Sequence, residues 1–293
     1  MDLEFTKMHG LGNDFILIDC IKQPWFLDTE VNKLKDIIIQ LCNRRFGIGA
    51  DQLLLLMPSE KADFQMRIFN ADGSEVEMCG NGIRCLAKYI WDNKLSNKDI
   101  LQIETLAGII RPERTKGLVK VDMGEPEFEP EKIPVYMEYI DREKLKDGKI
   151  LGYPLEVEER LFHISCVSMG NPHCVIVVDD TKSFPVSYFG PILENHQLFP
   201  NRTNVEFIDI VSKKEINMRV WERGSGETMA CGTGASASAV VASARGLTDR
   251  EVTVHLLGGD LFIQWAEDNH VYMTGPATEV FKGKINTNSL GLK

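Results

Sequence analysis

Two cysteines occur in the same short pattern, one in each half of the chain. Cys79 lies in MCGNGIRCLA and Cys231 lies in ACGTGASASA, so each is followed by Gly, a polar residue, a second Gly and a helix-like run. Each cysteine therefore precedes the first turn of a predicted helix, where backbone N–H groups lack helical partners and the helix dipole is positive. This position favours a thiolate, and it predicts a lowered pKa for both thiols.

The same helix starts are predicted anion sites, because Gly residues let a ligand approach the backbone closely. If both sites hold one carboxylate, a sulfur atom lies on each face of the α-carbon of the ligand. This arrangement suits inversion of a stereocentre: a thiolate removes the α-proton from one face, and a thiol returns a proton to the other. The reverse reaction exchanges the two roles, which explains a pair of like residues. The dipoles would also stabilise the charge that develops on the carboxylate.

An internal repeat surrounds the two cysteines. Placing Cys79 over Cys231, an offset of 152 residues, aligns RIFNADGSEVEMCGNGIRCLA with RVWERGSGETMACGTGASASA. GNDFILID likewise resembles GNPHCVIVVDD, and NRRFGIGADQLLLL resembles NRTNVEFIDI. The three blocks follow in the same order, which indicates two domains of one fold that arose by duplication. The recurrence argues against the plain alternative, a tight cap around a buried thiol, because duplicated scaffolds lose details that they do not need.

The periodicity of each half predicts many strands and one helix after the cysteine. Predicted helices span 30–43, 82–93 and 234–245. Predicted strands span 15–18, 52–57, 66–69, 101–105, 118–121, 162–167, 174–178, 205–210, 217–221, 253–256 and 261–264. A curved, mostly antiparallel sheet around a central helix fits this pattern and gives the α+β class. The segment GEPEFEPEKIP, residues 124–134, is the predicted linker because regular patterning stops there.

Composition excludes several classes of function. The chain has 33 Lys and Arg against 43 Asp and Glu, a formal net charge of −10, which disfavours nucleic acid and anionic membranes as partners. No apolar run approaches the ~20 residues of a membrane span, and the N-terminus lacks a signal pattern, so we expect a cytoplasmic protein. Seven cysteines without a Cys-x-x-Cys pair predict neither a disulfide framework nor a metal site. GSGETMACGTG lacks the ending of a phosphate loop, which discounts nucleotide binding.

Six stretches together resemble the diaminopimelate epimerase family, cofactor-independent enzymes that interconvert LL- and meso-diaminopimelate. They are KMHGLGNDFILID (7–19), GIGADQLL (47–54), FNADGSEVEMCGNGIRCLAKY (69–89), MGNPHCV (169–175), NRTNVEF (201–207) and WERGSGETMACGTGA (221–235). They span almost the whole chain. The resemblance implies Cys79 and Cys231 as the acid/base pair, without pyridoxal phosphate or any other cofactor.

The resemblance also implies the substrate contacts. The backbone N–H groups that hold the reacting carboxylate would be those of Gly80, Asn81, Gly232 and Thr233. Glu222 would take the ammonium at that centre, with His173 close by. The far amino-acid group would be recognised by Asn70, Asn171, Asn204 and Arg223, in a pocket also lined by Asn13 and Gln52. A second carboxylate calls for an Arg fork, and a second ammonium calls for carbonyl acceptors.

The family fold implies two like domains, residues 1–126 plus 277–293 and residues 127–276, with the site in the cleft between them. The C-terminal strand would return to the first domain, and closure on the substrate would exclude water. The implied partner is the small molecule diaminopimelate, in the biosynthesis of lysine and peptidoglycan precursors. A homodimer is implied as well, since members of the family are often dimeric.

Three alternatives stay open on the residues alone. The first is a proline racemase-like enzyme, although such proteins carry His where this sequence has Asn81. The second is a binding protein that captures an amino acid and needs no thiols. The third is a cysteine hydrolase that uses one cysteine with His173. Individually, His173 could also be a turn histidine, and Glu222 and Arg223 an ordinary surface pair.

Overall fold

The computed structural model describes residues 2–290. The first strands are β1 (Asp2–Gly10), β2 (Asn13–Asp19), β3 (Gln52–Met57), β4 (Phe64–Asn70), β5 (Glu75–Val76), β6 (Ile103–Thr105), β7 (Gly108–Ile110), β8 (Glu113–Thr115) and β9 (Leu118–Asp122). The later strands are β10 (Leu151–Val157), β11 (Arg160–Ser168), β12 (Pro172–Val177), β13 (Asn204–Ser212), β14 (Glu215–Glu222), β15 (Gly226–Thr228), β16 (Glu251–Leu256), β17 (Gly259–Trp265), β18 (Val271–Gly275) and β19 (Thr278–Asn286). The α-helices are α1 (Val31–Cys42), α2 (Gly80–Asp92), α3 (Val186–Glu194) and α4 (Gly232–Ala244).

The described chain forms two compact units, residues 2–121 with 275–290 and residues 122–274. The return of the chain to the first unit is made by β19, which pairs antiparallel with β1 from Asp2 opposite Asn286 to His9 opposite Thr278. Residues 1 and 291–293 of the predicted first domain lie outside the described residues.

Both units contain the same strand order around one helix. In the first unit the order is β19-β1-β2-β3-β4-β6-β7, with β5 on β4; in the second the corresponding order is β10-β11-β12-β13-β14-β16-β17, with β15 on β14, and this sheet continues beyond β17 with β18. The parallel pairs β2–β3 and β4–β6 recur as β12–β13 and β14–β16, and the neighbouring pairs are antiparallel. The predicted α+β class with a mostly antiparallel sheet in each half is therefore confirmed.

The apolar runs in the strands are explained by burial on both sheet faces. Ile16 and Ile18 of β2 pack in a cluster with the apolar side of α1. Phe15 of the same strand and Leu54 of β3 face the other way, against Gly82 of α2. Strands covered on both faces become continuously hydrophobic, as in FILI and LLLL, rather than alternating.

The helix of each unit that follows the cysteine is enclosed by its sheet. Helix α4 consists of Gly, Ala, Ser, Thr and Val, and nearly all of its residues are buried, so it has no polar stripe. Both helices begin two residues before the predicted start, directly after the cysteine. Cys79 and Cys231 are the N-cap residues, with extended backbone at φ −140° and −121°. Each thiol therefore lies at the first turn, as predicted.

The segment predicted as a linker, residues 124–134, is part of the second unit. Ile133 belongs to the buried core of that unit, together with Val135 and Ile140, which lie on either side of a short 3₁₀ turn at Met137–Tyr139. Phe128 is also buried, with its ring 6.4 Å from that of Trp265. The linker prediction is wrong because Pro-rich irregular backbone packs here through the apolar residues between its charges.

Helix α3 was not predicted, because its nine residues include Pro191 and Gly190. Its apolar side packs on β13 and β14 in the core of the second unit. Gly190 is what allows the close approach: a Cβ added there would lie 2.6 Å from the ring atoms Cγ and Cδ2 of Trp221.

Gly190→Ala should therefore destabilise the chain by about 1–3 kcal/mol, the usual cost of overpacking. Helix propensity alone predicts the opposite, since Ala is favoured over Gly by about 1 kcal/mol in a helix. Urea unfolding measures the change. Ser187→Ala, an exposed position of the same helix, is the control and should stay within about 0.5 kcal/mol of wild type. A Gly190→Ala variant as stable as wild type would contradict the packing argument.

Candidate active site

The first half-site is built around Cys79 at the start of α2. Its Sγ lies 3.7 Å from Oδ1 of Asn13, and the side-chain amide of Asn81 donates to the same oxygen at 3.2 Å. The amide nitrogen of Asn13 donates to Asp51 at 3.1 Å. Because that carboxylate can only accept, it fixes the amide of Asn13 with its oxygen toward Cys79 and Asn81.

A charged network holds the turns that carry Asn13 and Gln52. Arg44 donates to Asp14 at 2.7 and 3.0 Å and to Asp51 at 2.6 Å. Lys7 donates to Asp14 at 2.6 Å and to the carbonyl of Gly49. Burial raises the pKa of Asp14, but the hydrogen bonds from Arg44 and Lys7 outweigh it and hold that pKa well below its ordinary value. The network keeps the Asp14 carboxylate ionised beside the half-site.

Arg84, a residue not predicted from the sequence, supports the start of α2 from inside the unit. Its side chain is fully buried and donates to the carbonyl of Gly80 at 3.1 Å and to Oδ1 of Asn81 at 2.8 Å. A buried guanidinium needs such acceptors, and its fork holds two groups in a fixed relation. The available signal was an Arg between the apolar residues Ile83 and Cys85 of a predicted buried helix.

Gln52 and Asn70 form a pair of their own, opposite each other in the β3–β4 register. The side-chain nitrogen of Gln52 donates to Oδ1 of Asn70 at 2.9 Å, and Asn70 donates to Ser74 at 3.1 Å. The carbonyl oxygen of the Gln52 side chain is buried, and no hydrogen-bond partner for it is found within residues 2–290. This oxygen is an acceptor suited to an ammonium group.

The second half-site is built around Cys231 at the start of α4. The backbone N–H of Gly234 donates to its Sγ at 3.4 Å, and Oγ1 of Thr233 lies 3.5 Å from the same sulfur. Asn171 donates to Thr233 at 3.3 Å, and its Oδ1 lies 2.9 Å from Nε2 of His173. Four of the predicted residues are thus connected by hydrogen bonds in one unit.

A buried carboxylate beneath this half-site was also missed. Glu206 of β13 lies 2.7 Å from Nδ1 of His173, and both side chains have no solvent exposure. Val205 and Phe207 on either side point into the core against α3, which turns Glu206 toward α4. The available signal was an acidic residue inside the apolar strand NVEFIDI, where an unpaired charge is costly.

Electrostatics correct the predicted pKa of one thiol. Burial, reinforced by the negative charges of Glu222 and Glu206, raises the pKa of Cys231 well above its ordinary value. The hydrogen bonds from Thr233 and from the N–H of Gly234 act in the opposite direction and are outweighed. The prediction of a lowered pKa is wrong for Cys231, because the helix start is dry and faces two carboxylates.

The pKa of Glu222 is also raised. Burial raises its pKa above the ordinary value, opposed by hydrogen bonds from Thr228 and Cys231. The hydroxyl of Thr228 donates to Oε1 of Glu222 in a short hydrogen bond. Glu222, Thr228 and Cys231 therefore form one interacting group at the end of the β14–β15 hairpin.

Asn204 and Arg223 lie together, at the ends of neighbouring strands. The backbone N–H of Arg223 donates to Oδ1 of Asn204 at 2.9 Å, and the exposed Arg223 side chain donates to the carbonyl of Asn201 at 3.2 Å. The turn after Arg223 is fixed by Glu194, a buried carboxylate that accepts from Trp221 at 2.7 Å and from another backbone N–H of this turn. Sequence reasoning missed Glu194, since the helix that carries it was not predicted.

Matching ion pairs support the hairpin before each cysteine. Arg67 bonds Glu75 at 2.7 Å in the first unit, and Arg219 bonds Glu227 at 2.7 Å in the second. These are the pairs that the repeat alignment placed over one another. Among the described residues, no cluster of three or more His, Cys, Asp or Glu side chains could hold a metal ion. No described helix is both long and apolar enough to cross a membrane.

Glu222→Gln should stabilise the fold more at pH 7 than at pH 4. Because the folded-state pKa of Glu222 lies above its ordinary value of 4.5, its contribution to the free energy of unfolding falls as the pH rises through that folded-state pKa. Gln does not ionise and avoids this loss. Urea unfolding at both pH values measures the difference from wild type. Thr228→Val removes a hydrogen bond that lowers the pKa of Glu222, so the loss of stability between pH 4 and pH 7 should be larger than in wild type. Identical pH profiles of stability for wild type and Glu222→Gln would contradict the raised pKa of Glu222.

The chain is similar to one protein family over nearly its full length. A family model described as diaminopimelate epimerase matches residues 5–129 and 165–280. The diaminopimelate epimerase of Pelotomaculum thermopropionicum is 52% identical over 288 residues, 96% of this chain and 98% of the relative. Those of Halothermothrix orenii and Methanococcus maripaludis are 53% and 48% identical, each over 97% of this chain and 98% or more of the relative.

Solved structures share the fold at low sequence identity. A PhzF-family phenazine biosynthesis protein from Bacillus anthracis gives a TM-score of 0.69 at 18% identity, covering 98% of this chain and 99% of the other. A hydroxyproline epimerase from Agrobacterium vitis gives 0.66 at 14% identity, covering 97% and 92%. The family model and the close relatives decide the assignment, and the chain belongs to the diaminopimelate epimerase family.

Proposed function

We propose that this chain is an isomerase that interconverts LL- and meso-diaminopimelate by a two-base mechanism, with Cys79 and Cys231 as base and acid. Membership of the family supports the substrate. The observation that carries the mechanism is the repeated geometry: each cysteine is the N-cap of a buried helix that starts with Gly. The reaction requires one sulfur on each face of the α-carbon, and these are the two thiols that occupy equivalent places in the repeat.

The proton steps balance between the two sulfurs. The thiolate takes the α-proton, the C–H bond breaks, and its electron pair is delocalised into the adjacent carboxylate. The thiol on the other face then protonates the carbon, so the two cysteines exchange thiol and thiolate states. Backbone N–H groups of Gly80, Asn81, Gly232 and Thr233 are the proposed donors to the carboxylate, because the first N–H groups of a helix have no helical acceptor. They stabilise the carbanion as its charge develops.

Glu222 is proposed to bind the ammonium group at the reacting centre. Without ligand, the charge of Glu222 contributes to the raised pKa of Cys231. An ammonium paired with Glu222 would cancel that charge and make the Cys231 thiolate easier to form. Substrate binding would then favour ionisation of the Cys231 thiol, so the reactive thiolate would form mainly when the site is occupied.

The far amino-acid group of the substrate is proposed to bind the amide-rich positions. The buried carbonyl oxygen of Gln52 and the neighbouring Asn70 offer acceptors for the second ammonium. The exposed Arg223, whose backbone is fixed by Asn204, offers a fork for the second carboxylate. Asn13 contacts the sulfur of Cys79, and Asn171 donates to Thr233 beside Cys231.

Proton exchange in D₂O tests the two-base mechanism. Reduced wild-type protein without pyridoxal phosphate or metal should place solvent deuterium in meso product early, while the remaining LL substrate keeps its proton. This asymmetry follows because the product receives its proton from the second thiol, which has exchanged with solvent. Cys79→Ala and Cys231→Ala should each lower the rate of epimerisation by at least about 100-fold.

Cys20→Ala is the matched control, since Cys20 is buried in the first unit among apolar residues. It should leave deuterium incorporation unchanged. Epimerase activity that persists after substitution of either Cys79 or Cys231 would overturn the two-base assignment. A covalent substrate adduct on one cysteine would favour the hydrolase. Saturable binding of diaminopimelate without proton exchange would indicate a binding protein and not an enzyme. Turnover of proline instead of diaminopimelate would mean that the two-base mechanism acts on another substrate.

The resemblance to the family also supports a cytoplasmic homodimer that serves the biosynthesis of lysine and peptidoglycan precursors. Sedimentation equilibrium of the purified chain tests the dimer, with a mass near 33.0 kDa as the contradicting result.

A further inference from the structure

A continuous series of side chains connects the buried Glu206 with the sulfur of Cys231. Glu206 contacts Nδ1 of His173 at 2.7 Å, and Nε2 of that ring contacts Oδ1 of Asn171 at 2.9 Å. The amide nitrogen of Asn171 donates to Oγ1 of Thr233 at 3.3 Å, and that hydroxyl lies 3.5 Å from Sγ of Cys231. All five residues belong to the second unit.

The repeat shows that Glu206 is not a requirement of the scaffold. The 152-residue offset between Cys79 and Cys231 also places Leu54 over Glu206. Both residues occupy the same position, next to the third helical residue: a Cβ added at Gly82 would meet Leu54 at 3.2 Å, and one at Gly234 would meet Glu206 Oε1 at 2.7 Å. A Leu fills this place in the first unit, so the acid in the second unit does something other than packing.

The partners of His173 decide its charge. Nδ1 faces a carboxylate oxygen and Nε2 faces an amide oxygen, and both atoms are hydrogen-bond acceptors. A neutral imidazole has one N–H and satisfies only one acceptor, whereas the imidazolium satisfies both. The other oxygen of Glu206 is buried, with no hydrogen-bond partner among residues 2–290. A dry carboxylate of this kind calls for a positive partner.

We propose that Glu206 is a positioning residue that keeps His173 as an imidazolium, and that the resulting hydrogen-bond direction makes the Thr233 hydroxyl donate to the sulfur of Cys231. The imidazolium donates to the amide oxygen of Asn171, which turns the amide N–H₂ toward Thr233. The N–H₂ group donates to the Thr233 oxygen, so the hydroxyl proton of Thr233 is left to donate to Sγ of Cys231. The catalytic meaning of this assignment depends on the proposed function; the hydrogen-bond series itself does not.

The Thr233 hydroxyl thus counteracts the charges that face Cys231. The ionisable side chains that act on this sulfur within the second unit are Glu222 from β14, Glu206 from β13 and, through these acids, His173 from β12. Burial and the two acids favour the thiol, while Thr233 and the N–H of Gly234 favour the thiolate. A Thr233 hydroxyl that is held as a donor stabilises the thiolate and so limits the rise in the pKa of Cys231.

The charge of His173 is tested by ¹⁵N NMR of the histidine ring nitrogens, which needs no substrate or turnover. At neutral pH the wild type should show both ring nitrogens of His173 protonated, and Glu206→Gln should show one. Asp209→Asn is the control: Asp209 lies on the same strand but bonds Thr181 and Asn217, so the His173 signals should not change. A neutral His173 ring in wild type, or an unchanged ring in Glu206→Gln, would overturn the proposal.

The other end of the series is tested at Cys231, and this arm holds even if Glu206→Gln fails to fold. The pH dependence of iodoacetamide labelling, followed on the Cys231 peptide by mass spectrometry, gives the apparent pKa of this thiol. Thr233→Val should raise it by about one unit, the value of one hydrogen bond to a charged group. Thr233→Ser retains the hydroxyl and should match wild type.

An unchanged or lower apparent pKa in Thr233→Val would overturn the proposal. In Glu206→Gln the apparent pKa should not fall, because the acid and the imidazolium charge are lost together; a fall would mean that Glu206 acts as an isolated negative charge. Both readouts are independent of epimerase activity. Loss of proton exchange in D₂O with these results intact would therefore reject the proposed function alone.

Discussion

The enclosure of a helix inside a curved sheet is the constraint on which the rest of this fold depends. A helix surrounded by strands buries most of its side chains, as α4 does, and the strands beside such a helix become buried on both faces, as in β2 and β3. Only the ends of such a helix can meet a ligand. The N-cap positions of Cys79 and Cys231 therefore put both thiols at the positive end of a helix dipole.

Enclosure also determines the electrostatics of the second half-site. A dipole lowers a thiol's pKa where water can solvate the thiolate, but Cys231 is buried and faces two acids. The desolvation and the acids outweigh the helix start. The result is a thiol that, under the proposed function, a positively charged ligand would activate as a base, rather than one that is permanently ionised. The first half-site differs in kind: Leu54 stands where Glu206 stands in the second, and an amide oxygen of Asn13 faces Cys79.

The sequence was sufficient for the features that repeat. Two Cys-Gly-x-Gly units predicted both helix starts to within two residues, and the aligned ion pairs of Arg67 and Arg219 recur at the same 2.7 Å distance. Features without a local pattern were missed. Helix α3 contains Gly190 and Pro191 and depends on contact with Trp221, and Glu206 and Arg84 become meaningful only when distant strands and helices surround them. Long-range burial, which propensity does not encode, decides these cases.

The raised pKa of Cys231 has a consequence for the chemical durability of the protein. Peroxides attack the thiolate far faster than the thiol, and the products beyond sulfenic acid are irreversible. A cysteine that stays protonated until an ammonium group binds is a thiol in the empty site, and the thiol is the form that oxidants attack least. In the proposed reaction the substrate lies against the sulfur when the thiolate forms, so the ionised sulfur would be shielded from oxidants. Under the proposed function, Glu222 would therefore both bind the substrate ammonium and limit oxidation of Cys231 in the empty site.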